Sequence, residues 1–233
     1  RGRRNAELCS LLRAVARIEG LERLRVSSLD PADVDEEFLQ TVAHTPAICP
    51  HIHLALQAGS AATLRRMRRR YTPEQFLRAA RRWREIRPDG GLTTDIIVGF
   101  PGETAEDFEA SLRIARAARF SAIHVFPYSP RSGTAAATLP DHVSPDEQKR
   151  RVDALLALAR DLSAEYTAQF VGQVLPVLVE TVDRTTGLVE GMIPHYIKAR
   201  VQIPEAASVA VGDIVWLRVE SWQDGALCGK WKR

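Results

Sequence analysis

The sequence predicts an α/β domain with a parallel sheet, followed by a small antiparallel β-barrel. Short apolar, β-branched runs alternate with amphipathic helical patterns up to about residue 170. This alternation is typical of parallel strands joined by right-handed crossovers. After Gly172 the helical pattern stops, and short β-rich pieces follow at regular spacing between turn residues, which is typical of a small barrel. We therefore expect two domains, residues 1–170 and 171–233.

The composition is that of a folded globular protein, with 45% hydrophobic and 26% charged residues in 233. A net charge of +3 permits an RNA partner without requiring one. The sequence contains no signal peptide and no apolar run long enough to cross a membrane, so we expect a cytoplasmic protein without a membrane partner. Cys9, Cys49 and Cys228 have no metal-ligand spacing and are expected to be free thiols, and we assign no metal ligand.

The first predicted elements are a helix over 5–18, a strand over 24–28 and a helix over 34–42. The leading helix resembles a crossover from an earlier strand, and the four strands predicted in this domain are too few to close a barrel. We therefore expect the natural N-terminus to lie upstream. The alternative is an open sheet in which the strand 24–28 forms an exposed edge.

The next predicted strand, 51–57, leads into a helix over 61–68, and Thr72 caps a further helix that ends at Ile86. The buried strand 92–98 breaks at a Gly-Phe-Pro-Gly turn before a helix over 104–118. Glycines at the carboxyl end of a strand let the backbone approach a ligand, and α/β proteins bind ligands at that end. The remaining predicted elements of this domain are a strand over 122–126, a polar loop over 128–134 and a helix from Ser144 to about Phe170.

Three motifs, in this order, resemble the radical S-adenosylmethionine methylthiotransferases. They are HIHLALQAGS at 51–60, MRRRYT at 67–72 and TDIIVGFPGET at 94–104, with Ala58 in place of the usual serine. Within that family, HVFPYS at 124–129 resembles the branch that acts on N6-threonylcarbamoyladenosine beside the tRNA anticodon. The β-rich tail resembles a TRAM domain, an OB-like RNA-binding barrel.

The resemblance implies a partial radical S-adenosylmethionine (β/α) barrel and a reaction. Reductive cleavage of S-adenosylmethionine gives an adenosyl radical, which removes hydrogen from an adenine carbon that then receives sulfur and a methyl group. It also implies two 4Fe–4S clusters held by cysteine thiolates, the tRNA anticodon loop as substrate, and flavodoxin or ferredoxin as electron donor.

The family's Cys-x-x-x-Cys-x-x-Cys motif is absent from these 233 residues. We therefore expect a C-terminal portion of the enzyme that is inactive alone, and we assign no catalytic residue. The alternatives are a non-catalytic RNA-binding remnant, the isopentenyladenosine branch, and the branch that modifies ribosomal protein S12.

Most candidate cofactor-binding residues lie at or after the carboxyl ends of the predicted strands, whereas Arg68 follows a helix and Asp95 lies within a strand. The candidates are Gln57, Ser60, Arg68, Asp95, Gly99, Pro101, Gly102, Phe126 and Tyr128. Gln57 and Ser60 could hydrogen-bond the cofactor, although Ser60 could instead cap the next helix. One arginine of 68–70 could bind the cofactor carboxylate.

The sequence leaves several of these roles open. Asp95, charged within an apolar strand, should face the pocket or pair with an arginine. Phe126 could lie against adenine or pack in the core, and Glu103 is expected first as a helix-capping acid. His51 and His53 share one strand face, but the sequence shows no third metal ligand at a useful spacing.

The candidate substrate and RNA ligands lie in the loop after the fourth strand and in the tail. They are Arg131, Gly133, Thr134, Tyr196, Lys198, Arg200, Lys230, Trp231 and Lys232. Small β-barrels bind RNA through cationic grooves and stacked bases. We expect Trp216 to fill the barrel core and the terminal residues 229–233 to contact RNA, with weak and salt-sensitive binding of tRNA by this chain alone.

Overall fold

The computed structural model describes residues 2–204 and 207–232, and the side chains from Ala6 onward. The first part of the chain comprises α1 Gly2–Val15, β1 Leu24–Leu29, α2 Glu36–Ala43, β2 Ile48–Leu54, α3 Ala61–Arg66, α4 Pro73–Ile86, β3 Gly91–Val98, α5 Ala105–Ala118, β4 Ala122–Pro127 and α6 Pro145–Ala168. The second part comprises β5 Val174–Asp183, β6 Leu188–Met192, β7 Lys198–Gln202, β8 Ile214–Gln223 and β9 Ala226–Lys232. No helix among the described residues has the length and apolar character needed to span a membrane.

The strands β1 to β4 form a parallel sheet in the order β1-β2-β3-β4, as expected for part of a (β/α) barrel. Alternate residues of each strand face the helices. Val26, Ile52 and Ile96 belong to the core that packs against the helical layer. We call the opposite side of the sheet the inner face. It carries polar side chains at the intervening positions of β2, β3 and β4, because the side-chain period of a strand is two.

The helical layer is held by large apolar side chains with almost no exposure. Phe38 on α2, Phe76 and Trp83 on α4, and Phe120 after α5 are each fully buried. Burying such a side chain stabilises the fold by about 1.5–3 kcal/mol. Thr72 and Thr104 begin α4 and α5 with reciprocal capping boxes, so these helix starts follow directly from local sequence.

The second part closes into a five-stranded barrel in the order β5-β6-β7-β9-β8. The closure confirms the predicted barrel. One strand pair differs from the antiparallel expectation, because β7 and β9 run parallel. The β8–β9 hairpin folds back so that β9 lies between β7 and β8, a Greek-key closure of the OB type. A series of strands and turns in sequence does not reveal this spatial order.

Two glycines permit the barrel to bend. A Cβ at Gly191 would collide with the Leu178 carbonyl, and a Cβ at Gly229 would collide with the Arg218 carbonyl. Both positions lie beside irregularities in strand register, on β5–β6 and on β8–β9. Glycine is required there because the neighbouring backbone occupies the space of a side chain.

The barrel docks on the sheet through the connection between β6 and β7. The Arg25 guanidinium donates to the carbonyl oxygens of Ile193 and Pro194 at 3.0 and 3.2 Å. It also lies 5.1 Å from the centre of the Tyr196 ring, which stacks on His51 at 4.6 Å. We call the contact of Arg23 and Arg25 with residues 192–196 the sheet–barrel joint. Arg23 adds hydrogen bonds to the carbonyl oxygens of Met192 and Pro176.

Candidate functional site

The carboxyl ends of β2, β3 and β4 lie side by side, and they bring Gln57, Gly99 and Tyr128 together. The Gln57 backbone N–H donates to the Asp95 backbone carbonyl oxygen at 2.8 Å. The Gln57 backbone carbonyl oxygen accepts from the Ile97 backbone N–H at 2.9 Å. The Tyr128 amide donates to the Val98 carbonyl, directly before Gly99. Gln57 thus continues β2 beyond Leu54, in a left-handed conformation with φ of 64°. Such a conformation is uncommon for a side-chain-bearing residue, and the two β3 bonds hold it.

The Gly-Phe-Pro-Gly turn is filled from within the chain. Gly99 and Gly102 have φ of 77° and 75°, which favours glycine at both positions. A Cβ at Gly99 would lie 2.8 Å from the Gln148 amide nitrogen, and one at Gly102 would lie 3.1 Å from the Arg66 guanidinium. The side chains of Gln148 and Arg66 therefore occupy the space beside these two glycines. Pro101 is buried in the same turn, and a role for these three residues in cofactor binding stays a prediction.

A buried ion pair fixes this turn to α6. Glu103 accepts from the Gly99 amide at 2.7 Å and from Arg151 at 2.9 Å. Burial raises the pKa of the Glu103 carboxyl, although both of these contacts lower it. The sequence suggested Glu103 as a helix-capping acid, whereas the structure gives it Arg151 as a partner from 48 residues away. That distance along the chain is why the sequence did not reveal the pair.

Ser60 caps the N-terminus of α3, which is one of the two roles that the sequence allowed for it. Its hydroxyl accepts from the amides of Ala62 and Thr63 and donates to Asp107. Its bonding capacity is therefore used within the protein, which speaks against the predicted contact with a cofactor.

The arginine that reaches the glycine turn is Arg66, which donates to the Gly102 carbonyl at 2.7 Å. Arg68, the predicted ligand, is exposed and has φ of 57°. Sequence reasoning missed Arg66 because it lies within the helix and outside the 68–70 run.

The inner face carries a connected polar cluster. The Thr93 hydroxyl lies 2.9 Å from His51 Nε2 and 3.0 Å from His53 Nδ1. His53 Nε2 lies 3.4 Å from the Asp95 carboxylate. Asp95 is thus half-buried and lies beside His53. The sequence predicted that it would either pair with an arginine or face the pocket. Next to it, His124 is exposed, and its ring centre lies 6.0 Å from that of His53.

The protonation state of His51 is set by its surroundings. Burial, and to a smaller extent the positive charge of Arg25, lowers the pKa of His51 to about 3. His51 is therefore neutral near pH 7, and its hydrogen bond with Thr93 joins two uncharged groups.

The residues at the end of β4 and in the loop after it divide between the inner face and the glycine turn. Phe126 is 50% exposed on the inner face, which excludes the core-packing alternative. Tyr128 packs edge-to-face on Phe100 at 5.2 Å, and its buried hydroxyl has no hydrogen-bond partner within the part of the chain that the structure describes. Arg131, Gly133 and Thr134 lie in an exposed turn closed by the Thr134 hydroxyl on the Arg131 carbonyl.

The cysteines do not form a cluster site. Cys9 lies on α1, Cys49 on β2 and Cys228 on β9. Burial raises the pKa of Cys9 and Cys49, which disfavours the thiolate form that ligates iron. Among the described residues, the group of three or more metal-ligating side chains that does come together contains no cysteine. These residues do not fit a 4Fe–4S cluster.

The outer surface of the barrel is cationic along β7, β8 and β9. The side chains that form it are Lys198, Arg200, Arg218, Lys230 and Lys232. Arg200 pairs with Glu190, and Lys230 pairs with Glu220. Within residues 2–204 and 207–232, the other three have no ion pair, so their charge remains available to a polyanion.

The tryptophans of the barrel differ from expectation. Trp216, predicted to fill the core, is 48% exposed, while Trp231, a predicted RNA contact, packs against the barrel core. Strand register explains both, because Trp216 pairs with the outward Lys232 and Trp231 pairs with the inward Leu217. Tyr196 is engaged in the sheet–barrel joint, and the predicted contact at Arg233 lies outside the described residues.

Comparison with known proteins agrees with this architecture. Residues 4–115 match the model of the radical SAM superfamily. Coproporphyrinogen III oxidase (HemN) from Escherichia coli, a radical SAM enzyme, has a similar fold. It superposes with a TM-score of 0.53 at 19% identity, over 68% of this chain and 37% of that one.

Two curated relatives align along nearly the whole chain. A tRNA-2-methylthio-N(6)-dimethylallyladenosine synthase from a Nocardioides species is 40% identical over 90% of this chain and 43% of its own length. The threonylcarbamoyladenosine tRNA methylthiotransferase MtaB of Thermotoga maritima is 36% identical over 93% of this chain and 48% of its own. The chain thus spans less than half the length of each relative.

The fold and these matches define a radical S-adenosylmethionine protein with an appended small barrel. Within that class, the chain is similar to tRNA methylthiotransferases along most of its length.

Proposed function

We propose that this chain contributes the cofactor-facing sheet and the RNA-binding barrel of a methylthiotransferase that acts on N6-threonylcarbamoyladenosine in tRNA. The nucleoside would lie on the inner face, at the carboxyl ends of β2, β3 and β4. The barrel would hold the tRNA backbone. Relatives that carry out this type of modification align with both parts of the chain.

S-adenosylmethionine fits the carboxyl end of the sheet in two respects. The exposed ring of Phe126 offers a surface on which adenine could stack. The buried Tyr128 hydroxyl has no hydrogen-bond partner among the described residues, as expected of a group that would bond a ligand. Gln57, which lies across β3 from these two residues, would add an amide donor and acceptor. When bound, S-adenosylmethionine would supply radical chemistry, whereas the residues of this chain would bind and orient the cofactor and the nucleoside.

The polarity of the inner face is the observation that carries the choice of substrate. A polar wall lies there, made of His51, His53, Thr93, Asp95 and His124. His51 and Thr93 are buried and support the other three, which have exposed surface. The threonylcarbamoyl group bears a carboxylate, a hydroxyl and a urea-like linkage, all of which need polar partners when buried. An isopentenyl group is a hydrocarbon and would offer no hydrogen bond to Asp95 and His124, which have exposed surface on this face.

The test is to delete the gene that encodes this chain and to analyse the nucleosides of total tRNA by mass spectrometry. We expect 2-methylthio-N6-threonylcarbamoyladenosine to disappear and its precursor without the methylthio group to accumulate. Re-expression should restore the modified nucleoside.

The second candidate is the isopentenyladenosine branch, which several relatives favour. One is the tRNA-2-methylthio-N(6)-dimethylallyladenosine synthase of Mycobacteroides abscessus, 45% identical over 73% of this chain. Loss of 2-methylthio-N6-isopentenyladenosine in the deletion strain would select this branch. If the methylthio nucleosides of tRNA are unchanged, the chain is not part of a tRNA methylthiotransferase.

A further inference from the structure

Three metal-ligating side chains from neighbouring strands meet on the inner face. His53 lies on β2, Asp95 on β3 and His124 on β4, and one donor atom from each lies within 4.8 Å of the other two. Asp95 and His124 are direct partners in the β3–β4 register, while His53 is the partner of Thr93 on β3. Sequence spacing could not reveal this group, because each strand contributes one residue.

Two of the three donors already stand at the spacing of metal ligands. Zinc–ligand bonds are about 2.1 Å, so two ligands of a tetrahedral ion lie about 3.4 Å apart. The distance from His53 Nε2 to Asp95 Oδ2 is 3.4 Å. His124 is exposed, so its ring can turn towards this pair without displacing core side chains.

Thr93 provides the support that a metal-bound histidine requires. If His53 Nε2 binds a cation, its Nδ1 carries the proton and donates to the Thr93 hydroxyl, 3.0 Å away. That hydroxyl then donates to His51 Nε2 at 2.9 Å. A hydrogen bond on the second ring nitrogen fixes the tautomer and orientation of a ligating histidine.

We propose that His53, Asp95 and His124 bind a divalent cation of the zinc type. Two histidines and one carboxylate are a common ligand set for Zn²⁺ and Fe²⁺, and they leave a fourth position open. The site requires no cysteine and is distinct from an iron–sulfur centre. The site rests on the geometry of the sheet. Because its ligands belong to the polar wall described above, a bound cation would face the nucleoside through its open position.

The experiment is a titration of the 233-residue chain, without a histidine tag, with Co²⁺ as a spectroscopic substitute for Zn²⁺. We expect one equivalent of Co²⁺ to produce the visible bands of a tetrahedral ion, and Zn²⁺ to displace it. His53→Ala, Asp95→Asn and His124→Ala should each abolish these bands. Thr93→Val should weaken binding by about 10-fold, as removal of a supporting hydrogen bond does.

His44→Ala is the matched control, because His44 is exposed at the end of α2 and bonds the Gln40 carbonyl, away from the inner face. It should bind Co²⁺ as the unmodified chain does. Circular dichroism establishes that each variant is folded, and His124→Ala decides the matter if His53→Ala does not fold, since His124 is exposed.

Several outcomes would overturn the site. They are the absence of saturable Co²⁺ binding, equal binding by His124→Ala and the unmodified chain, or a thiolate-to-cobalt band that places the ion on a cysteine. In any of these cases, His53 and Asp95 are neighbouring side chains that do not hold a cation together with His124. Because the readout is metal binding, its failure leaves the nucleoside analysis of the deletion strain unaffected.

Discussion

His51 illustrates how a single residue on the inner face acquires its properties from distant parts of the chain. It is 5% exposed, with Tyr196 of the barrel stacked on its ring and Thr93 bonded to its Nε2. The sequence placed it on one strand face with His53, and this proved to be the inner face. Its neutral state depends on Arg25 and on burial by the barrel, which no local pattern could show.

We predict that His51 makes stability depend on pH. Its pKa in the folded chain is about 3 and its ordinary value is 6.5. Between these values the unfolded chain binds a proton and the folded chain does not, so stability falls as the pH is lowered from 6.5 towards 3. Urea unfolding at pH 7 and pH 5 should show that the unmodified chain loses about 2 kcal/mol more than His51→Gln. An equal loss in both would contradict a neutral His51.

The buried pair of Glu103 and Arg151 gives a second prediction at this scale. Arg151→Met leaves a buried carboxylate without its partner and should lower the free energy of unfolding by about 3–5 kcal/mol. Arg150→Met, its control, removes an exposed partner of Glu147 and should cost less than about 1 kcal/mol. Urea denaturation measures both. Similar losses in the two variants would mean that Glu103 does not need Arg151.

At the scale of elements, local sequence patterns predicted most of the helices and strands. The capping boxes at Thr72 and Thr104 and the glycine turn after β3 placed three helix or strand ends correctly. The errors concern β2, which ends at Leu54 while Gln57 forms an isolated bridge to Ile96, and Trp216, which lies outside the barrel core. Residue alternation shows that neighbouring side chains point to opposite faces, but it does not show which face is the barrel core.

The cationic surface of β7 to β9 leads to a prediction about RNA. Lys198→Ala and Lys232→Ala should each reduce the slope of log affinity for tRNA against log salt by about 0.7–0.9, if each lysine contacts one phosphate. The control is Lys149→Ala on α6, where the lysine is equally exposed but pairs with Asp153. Filter binding over a range of salt concentrations measures the slopes. Unchanged slopes in Lys198→Ala and Lys232→Ala would contradict the proposal that this surface binds RNA.

At the scale of the whole molecule, the sheet–barrel joint sets the position of the cationic surface of β7 to β9 relative to the inner face. The sequence predicted both parts, because each has its own periodicity. It could not predict the joint, since Arg23 and Arg25 contact backbone carbonyls more than 150 residues away. Every residue has a backbone carbonyl, so the sequence does not show which carbonyl oxygens accept these hydrogen bonds.

The joint can be tested directly by calorimetry. The double variant Arg23→Ala/Arg25→Ala removes four hydrogen bonds to the barrel. We expect its thermal unfolding to separate into two transitions, one for each part, with the secondary structure at low temperature retained. Arg13→Ala/Arg82→Ala, which removes two exposed ion pairs within the first part, should keep a single transition. A single transition in both variants would contradict the joint.

The central claim is that the target adenosine lies on the inner face, at the carboxyl ends of β2 to β4, while the barrel holds the tRNA. The most direct measurement replaces Phe126 with a photoreactive phenylalanine and maps the crosslink to bound tRNA by mass spectrometry. The matched control carries the same group at Arg113, an exposed position on the outer helix α5. We predict a crosslink from position 126 to the nucleotide beside the anticodon and none from position 113. A crosslink from position 126 to another region of the tRNA, or equal labelling from both positions, would contradict the account.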